Sequence, residues 1–163
     1  MKNLYKLEEY SGRLPNPKRF PIQGGNVIAV KDRPTAFCDG FMLDLSVKER
    51  DKEMLEAGVI RTVDTMDDHI TDAMVSELLL SEPEFIYEFY YPAYVLFVPT
   101  GNPILVQVKY YRYFRNRYRN CNFYIREEGS KSIAVKVDGR LLGVFMVLFY
   151  EQRFLNLIKE ERK

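Results

Sequence analysis

The sequence predicts an α+β fold: an antiparallel or mixed sheet built from hairpins, with three or four helices packed on it. Three observations point that way. Asp39-Gly40 and Asp138-Gly139 are tight-turn dipeptides, each followed or preceded by short alternating apolar runs. Helical patterns are interspersed among those runs, which suits helices packed on a hairpin sheet. The 163 residues are 47% hydrophobic and 29% charged, enough apolar material to form a core and offset the ordering entropy of the chain. The length suits one domain, set at residues 26–163 after an irregular lead-in at 1–25.

The lead-in is assigned from Pro15, Pro17, Pro21, Gly24 and Gly25. Paired strands follow from Asn26 to Val47. Val27, Ile28 and Val30 form a β-branched run, Lys31-Asp32-Arg33-Pro34 turns the chain, and Thr35 to Cys38 leads into Asp39-Gly40. Phe41, Leu43 and Leu45 then alternate with Met42, Asp44 and Ser46. Ser46 and Glu49 have capping-box spacing, and Gly58 fits the position past a helix end. A second helix is expected from Asp68 to Ser81, with Ile70, Ala73, Met74, Val75, Leu78 and Leu79 as its apolar face. Phe85 to Val98, interrupted at Tyr91-Pro92, reads as two strands. Gly101-Asn102-Pro103 turns into a strand at Ile104 to Val108. The alternation of Ile133, Val135 and Val137, the turn at Asp138-Gly139 and a return strand from Leu141 to Tyr150 make a final hairpin. Glu151 to Lys163 suits a terminal helix, with Phe154, Leu155 and Ile158 on one side.

The net charge of +1 conceals a segregation. Asp44 to Glu88 holds 13 acids and 4 bases, whereas Phe89 to Arg126 holds 6 bases and no acid. The two segments either neutralise each other within the fold or form patches for different partners. A general nucleic-acid binder would be basic overall, but a local phosphate-contacting stripe is compatible with this balance. Aromatics are abundant, with 12 Tyr, 11 Phe and no Trp, and they serve either core or interface.

Chemistry-bearing motifs are sparse. Cys38 and Cys121 are too few for a disulfide scaffold; reduced thiols are the simplest reading, and one bridge between the two is the alternative. No phosphate-binding glycine loop is present. His69, the single histidine, stands among Asp67, Asp68 and Asp72; a metal-dependent or carboxylate enzyme there is one reading, and an acidic helix start is the other. No catalytic residue, cofactor or bound metal is expected. The N-terminal stretch lacks an apolar run, so no signal peptide is expected. The run from Leu141 to Tyr150 is far below the roughly 20 residues of a membrane helix. A soluble, cytoplasmic protein with no membrane partner is the expectation.

The segment from Lys109 to Arg119 is the strongest functional candidate. On a helix, Tyr111, Phe114 and Tyr118 make an apolar stripe, while Arg112, Arg115 and Arg119 make a basic stripe with Lys109 on the same side. The candidate binding residues are Lys109, Arg112, Tyr113, Arg115, Arg117 and Arg119. Arginine forks suit phosphate or carboxylate, and an exposed Tyr113 would add stacking on a base. The bland reading is a core helix whose arginines pair with the chain's own acidic segment.

Two stretches carry a resemblance. Ala36-Phe37-Cys38-Asp39-Gly40-Phe41-Met42-Leu43 resembles the strand-turn-strand written ATDGHRL in bacterial sliding clamps, with Cys38 in place of Thr and Phe41 in place of His. Ser132-Ile133-Ala134-Val135 through Gly143-Val144-Phe145-Met146 resembles the closing strands of a clamp domain. The chain is also similar to small prophage and mobile-element proteins. In these a Lys-Tyr-Tyr-x-Tyr-Phe stretch, here Lys109 to Phe114, precedes a final hairpin with Asp-Gly and Gly-Val. The resemblance spans roughly Val27 to Leu148 and implies a clamp-domain-like fold and a mobile-element origin. It implies no residue roles. A ring would need several copies, so a homo-oligomer stays open.

The function expected is a non-enzymatic binding protein of phage or mobile-element type. It would act on DNA or on a nucleic-acid-handling protein through the Arg/Tyr-rich helix. The alternatives are an acidic DNA-mimic inhibitor or adaptor that binds a host protein through Asp44 to Glu88, and a small metal- or carboxylate-dependent enzyme.

Overall fold

A computed structural model describes residues 4–12, 26–30, 33–38, 41–44, 60–63, 75–88 and 92–163, with the backbone alone described between 26 and 63. The strands are β1 (Leu4–Lys6), β2 (Asn26–Val30), β3 (Arg33–Cys38), β4 (Phe41–Asp44), β5 (Ile60–Val63), β6 (Leu78–Leu79), β7 (Phe85–Glu88), β8 (Pro92–Phe97), β9 (Pro103–Gln107), β10 (Cys121–Ile125), β11 (Ser132–Val137) and β12 (Arg140–Met146). The helices are α1 (Val108–Arg117) and α2 (Gln152–Arg162), and Leu7–Glu9 forms one 3-10 turn.

The expected single sheet is in fact two. Sheet A is antiparallel in the order β1-β7-β8-β9. Sheet B runs β5-β2-β3-β4-β12-β11-β10-β6 and is antiparallel except for the parallel pair β2–β5. The two stretches that carry the clamp resemblance are neighbours in sheet B, where β4 pairs with β12. Among the described residues there are two α-helices, not three or four. The helix expected at Ser46–Gly58 lies outside those residues.

The alternation of side chains along sheet A explains its burial on both faces. Ile86, Tyr94, Leu96, Ile104 and Val106 face one core, which they share with α1 and with Phe123, Ile125, Ile133, Val135 and Phe145 of sheet B. Phe85, Ala93, Val95, Phe97 and Leu105 face the other, covered by Phe154, Leu155 and Ile158 of α2. Successive strand residues point to opposite faces, so a strand covered on both sides must read as a continuous apolar run, as Ala93 to Phe97 does.

Three expectations are corrected. The helix expected over Asp68–Ser81 does not reach Ser81: Val75 is a turn, and Leu78–Leu79 pairs with Tyr124 and Ile125 at the edge of sheet B. Tertiary strand pairing overrides the local helical period there, and Leu79 stays 50% exposed instead of joining an apolar helix face. The lead-in is not irregular throughout, because Leu4–Lys6 adds an edge strand against Phe85–Tyr87. The return strand ends at Met146, after which Leu148 makes a single bridge to Leu105 of sheet A. The Asp138-Gly139 turn has φ of 50° and 77°, the pair of positive values that a tight hairpin needs and that glycine supplies without strain.

Two backbone crossings join the sheets. Leu80 donates to the carbonyl of Phe123 at 2.9 Å and Ser81 to that of Phe97 at 3.0 Å, so one short segment bonds to both. On the other flank, Leu148 donates to the carbonyl of Leu105 at 2.8 Å.

Candidate binding interface

Helix α1 starts directly after β9, with Gln107 at its N-cap, and ends where the Tyr118 amide donates to the Phe114 carbonyl at 2.9 Å. Arg115 and Arg117 lie in its last turn, where cations suit the negative end of the helix dipole. The helix touches both sheets. The Tyr111 ring meets Tyr94 of sheet A edge-on at 5.5 Å and stacks on Phe123 of sheet B at 4.4 Å, while Phe114 stacks on Phe145 at 5.9 Å.

Burial runs around more of α1 than the two-stripe pattern allows. Tyr111, Phe114 and Tyr118 are buried as expected, but Val108, Tyr110 and Tyr113 are buried too. Tyr113 is 0% exposed, which corrects its expected role: its ring cannot stack on a base. A helix wedged between two sheets needs apolar contact on both sides, so only a narrow outer sector is left. Lys109 and Asn116 are exposed there, Arg112 is half-buried, and Arg119 is exposed just beyond the last turn.

The arginines divide by environment. Arg115 is turned inward. It donates to the Cys121 carbonyl at 2.7 Å, to the Tyr111 hydroxyl at 3.1 Å and to Glu82 at 3.0 Å, and it lies over the rings of Tyr111 and Phe123. Its buried Nε makes no hydrogen bond. Burial works against its charge, but Tyr111, Cys121 and Glu82 outweigh that and raise its pKa. Glu82 belongs to the acidic segment, so for this arginine the bland reading holds. Arg117 lies 4.8 Å from the Tyr113 ring centroid, and Lys109 lies 4.9 Å from that of Tyr110. The charge of Arg112 acts on Tyr94, whose phenol is pushed up by burial and drawn partly down by that charge.

Sequence reasoning missed two participants. Glu82 carried no signal beyond membership of the acidic run. Tyr5, in the supposed lead-in, sits on the α1 side of sheet A, because Tyr5 pairs with Ile86 and Ile86 pairs with Tyr94.

Among the described residues, no helix is long and apolar enough to cross a membrane, and no group of three or more His, Cys, Asp or Glu is assembled to hold a metal. The cluster of Asp67, Asp68, His69 and Asp72 lies outside those residues. Compared with protein-family models, with curated proteins and with solved structures, the chain finds no match.

Proposed function

We propose that this chain is a non-enzymatic binding protein of phage or mobile-element type. Its outer α1 sector and the turn after it, carrying Lys109, Arg112, Arg117 and Arg119, meet DNA or a nucleic-acid-handling protein. One observation carries the reading: the exposed residues along this sector and turn include Lys109 and Arg119, within a stretch from Phe89 to Arg126 that holds no acid. Glu82 engages Arg115 at one flank and leaves the outer sector basic. Lys109, Arg112 and Arg117 are carried on a helix that packs against two sheets, so little backbone ordering is needed for them to meet an anion row. The phage or mobile-element type rests on the resemblance carried by Lys109 to Phe114 and the two hairpins.

The test is fluorescence anisotropy with a labelled oligonucleotide across a salt series. Binding should fall with log salt at about −0.7 to −0.9 per phosphate contact. The triple variant Lys109→Ala, Arg112→Ala, Arg119→Ala should lose it. Undiminished binding by that variant, at an unchanged unfolding midpoint, would exclude this face. The acidic-mimic alternative has less behind it, because Glu82 and Glu84 are tied to Arg115 and Arg162 within the chain.

A further inference from the structure

We infer that Tyr5 is a second contact of this face, a stacking platform that suits it to single-stranded nucleic acid. The inference rests on the nucleic-acid reading above and narrows it. Every aromatic between Lys109 and Arg119 is buried, so none of them offers a ring to a base. Among the described residues two rings are largely exposed, Tyr5 at 40% and Phe149 at 65%, and of these Tyr5 stands on the α1 side of sheet A.

Strand register fixes where that ring stands. Val106, Tyr94, Ile86 and Tyr5 form one cross-strand row on the α1 side of sheet A. Directly opposed residues share a face, and adjacent strands lie about 4.8 Å apart, so Tyr5 stands roughly 10 Å from Tyr94. Tyr94 packs against Tyr111 beneath α1. Along the row, exposure rises from 0% at Val106 and Ile86 to 40% at Tyr5, where the cover of the sheet stops. The Tyr5 ring is held by Tyr10, tilted 51° at 5.8 Å, and Tyr10 in turn packs against the core that contains α1. The ring is therefore braced from one side.

Charge assigns the two parts of a nucleotide. Glu88 acts on Tyr10, and Glu8 and Glu9 are exposed in the adjoining turn against one exposed cation, Lys6, so the described Tyr5 end carries more acid than base. The Arg112 end attracts phosphate. A strand would lay its phosphates along Lys109, Arg112 and Arg119 and turn an uncharged base onto Tyr5. Paired bases are shut inside a duplex and cannot reach a ring in this way, whereas single strands are bound by such combinations of cations and stacking rings.

The experiment compares labelled single-stranded oligo(dT) with a duplex of equal length, using the full chain and two variants. Tyr5→Leu keeps apolar bulk against Tyr10 but removes the π face; Tyr5→Phe keeps the ring. Tyr5→Leu should weaken single-strand binding about tenfold and leave duplex binding unchanged. Tyr5→Phe should bind like the parent. Equal binding by Tyr5→Leu and the parent overturns the Tyr5 assignment while the cationic-face reading stands. Binding of neither DNA form by the parent chain overturns the Tyr5 assignment and the DNA reading of the cationic face together, and leaves that face only a protein partner. Equal loss for Tyr5→Leu and Tyr5→Phe also overturns the stacking role, since the ring alone would then not matter.

Discussion

Arg115 donates to the backbone carbonyl of Cys121 across 2.7 Å, which ties the last turn of α1 to the first residue of the next strand. The same guanidinium reaches Glu82 and the Tyr111 hydroxyl, so one side chain fixes three segments. Arg115→Ala is expected to destabilise the fold by about 2 kcal/mol, through lost charged hydrogen bonds and lost contact with two rings. Arg115→Lys should recover little, because a lysine lacks the fork. Arg119→Ala should stay within about 0.5 kcal/mol of the parent. Urea midpoints measure all three, and equal shifts for Arg115→Ala and Arg119→Ala would refute the division between them.

Phe114 is fully buried between Tyr113 at 5.3 Å and Phe145 at 5.9 Å. Phe114→Ala should cost about 3–5 kcal/mol, the transfer loss plus the cavity left behind. Phe114→Leu should cost less, because it fills part of that volume. Equilibrium unfolding separates the two.

Glu128 joins two loops far apart in sequence. It accepts hydrogen bonds from the Thr100 hydroxyl and, at 2.7 Å, from Asn102, and these hold its carboxyl below the ordinary glutamate value. A depressed carboxyl contributes stability that is present above its unfolded pKa and is lost as pH falls through the folded one. Glu128→Gln should therefore lower Tm at neutral pH, and the difference should shrink in acid. A difference that persists or grows below the glutamate range would contradict the linkage.

Tyr111, Tyr94 and Tyr10 should ionise late on alkaline titration. Burial raises Tyr111, Tyr94 and Tyr10, with Tyr111 raised well beyond the usual range. A raised phenol contributes stability that is fully present below about pH 10 and is lost as pH rises through the folded value. Phenolate absorbance should show these residues lagging in the native protein and titrating normally in guanidinium. Tyr111→Phe should remove one of the late-titrating phenols.

The hairpin strands were legible because their signal is local. Asp138-Gly139, Gly101-Asn102-Pro103 and the break at Tyr91-Pro92 punctuate short apolar runs that become β7, β8, β9, β11 and β12. Helix α1 was legible for the same reason. The division into two sheets was not, because it depends on pairings such as Tyr5 with Ile86 and Leu79 with Tyr124 between distant segments. Cys121, Phe123 and Ile125 alternate inward along β10, and that pattern was available but overshadowed by the basic run before it. For the candidate site, the helix and its cations were readable. The inward turn of Arg115 was not, since its partners come from three places in the chain.

The crossings at Leu80–Ser81 and Leu148 have a mechanical consequence. Sheet A and the β10–β12 part of sheet B cannot open like the covers of a book, because backbone hydrogen bonds bind them along both spines. The aromatic wedge of α1 is enclosed as in a sleeve. A displacement of α1 is therefore passed to both sheets at once, through the core that the helix shares with them.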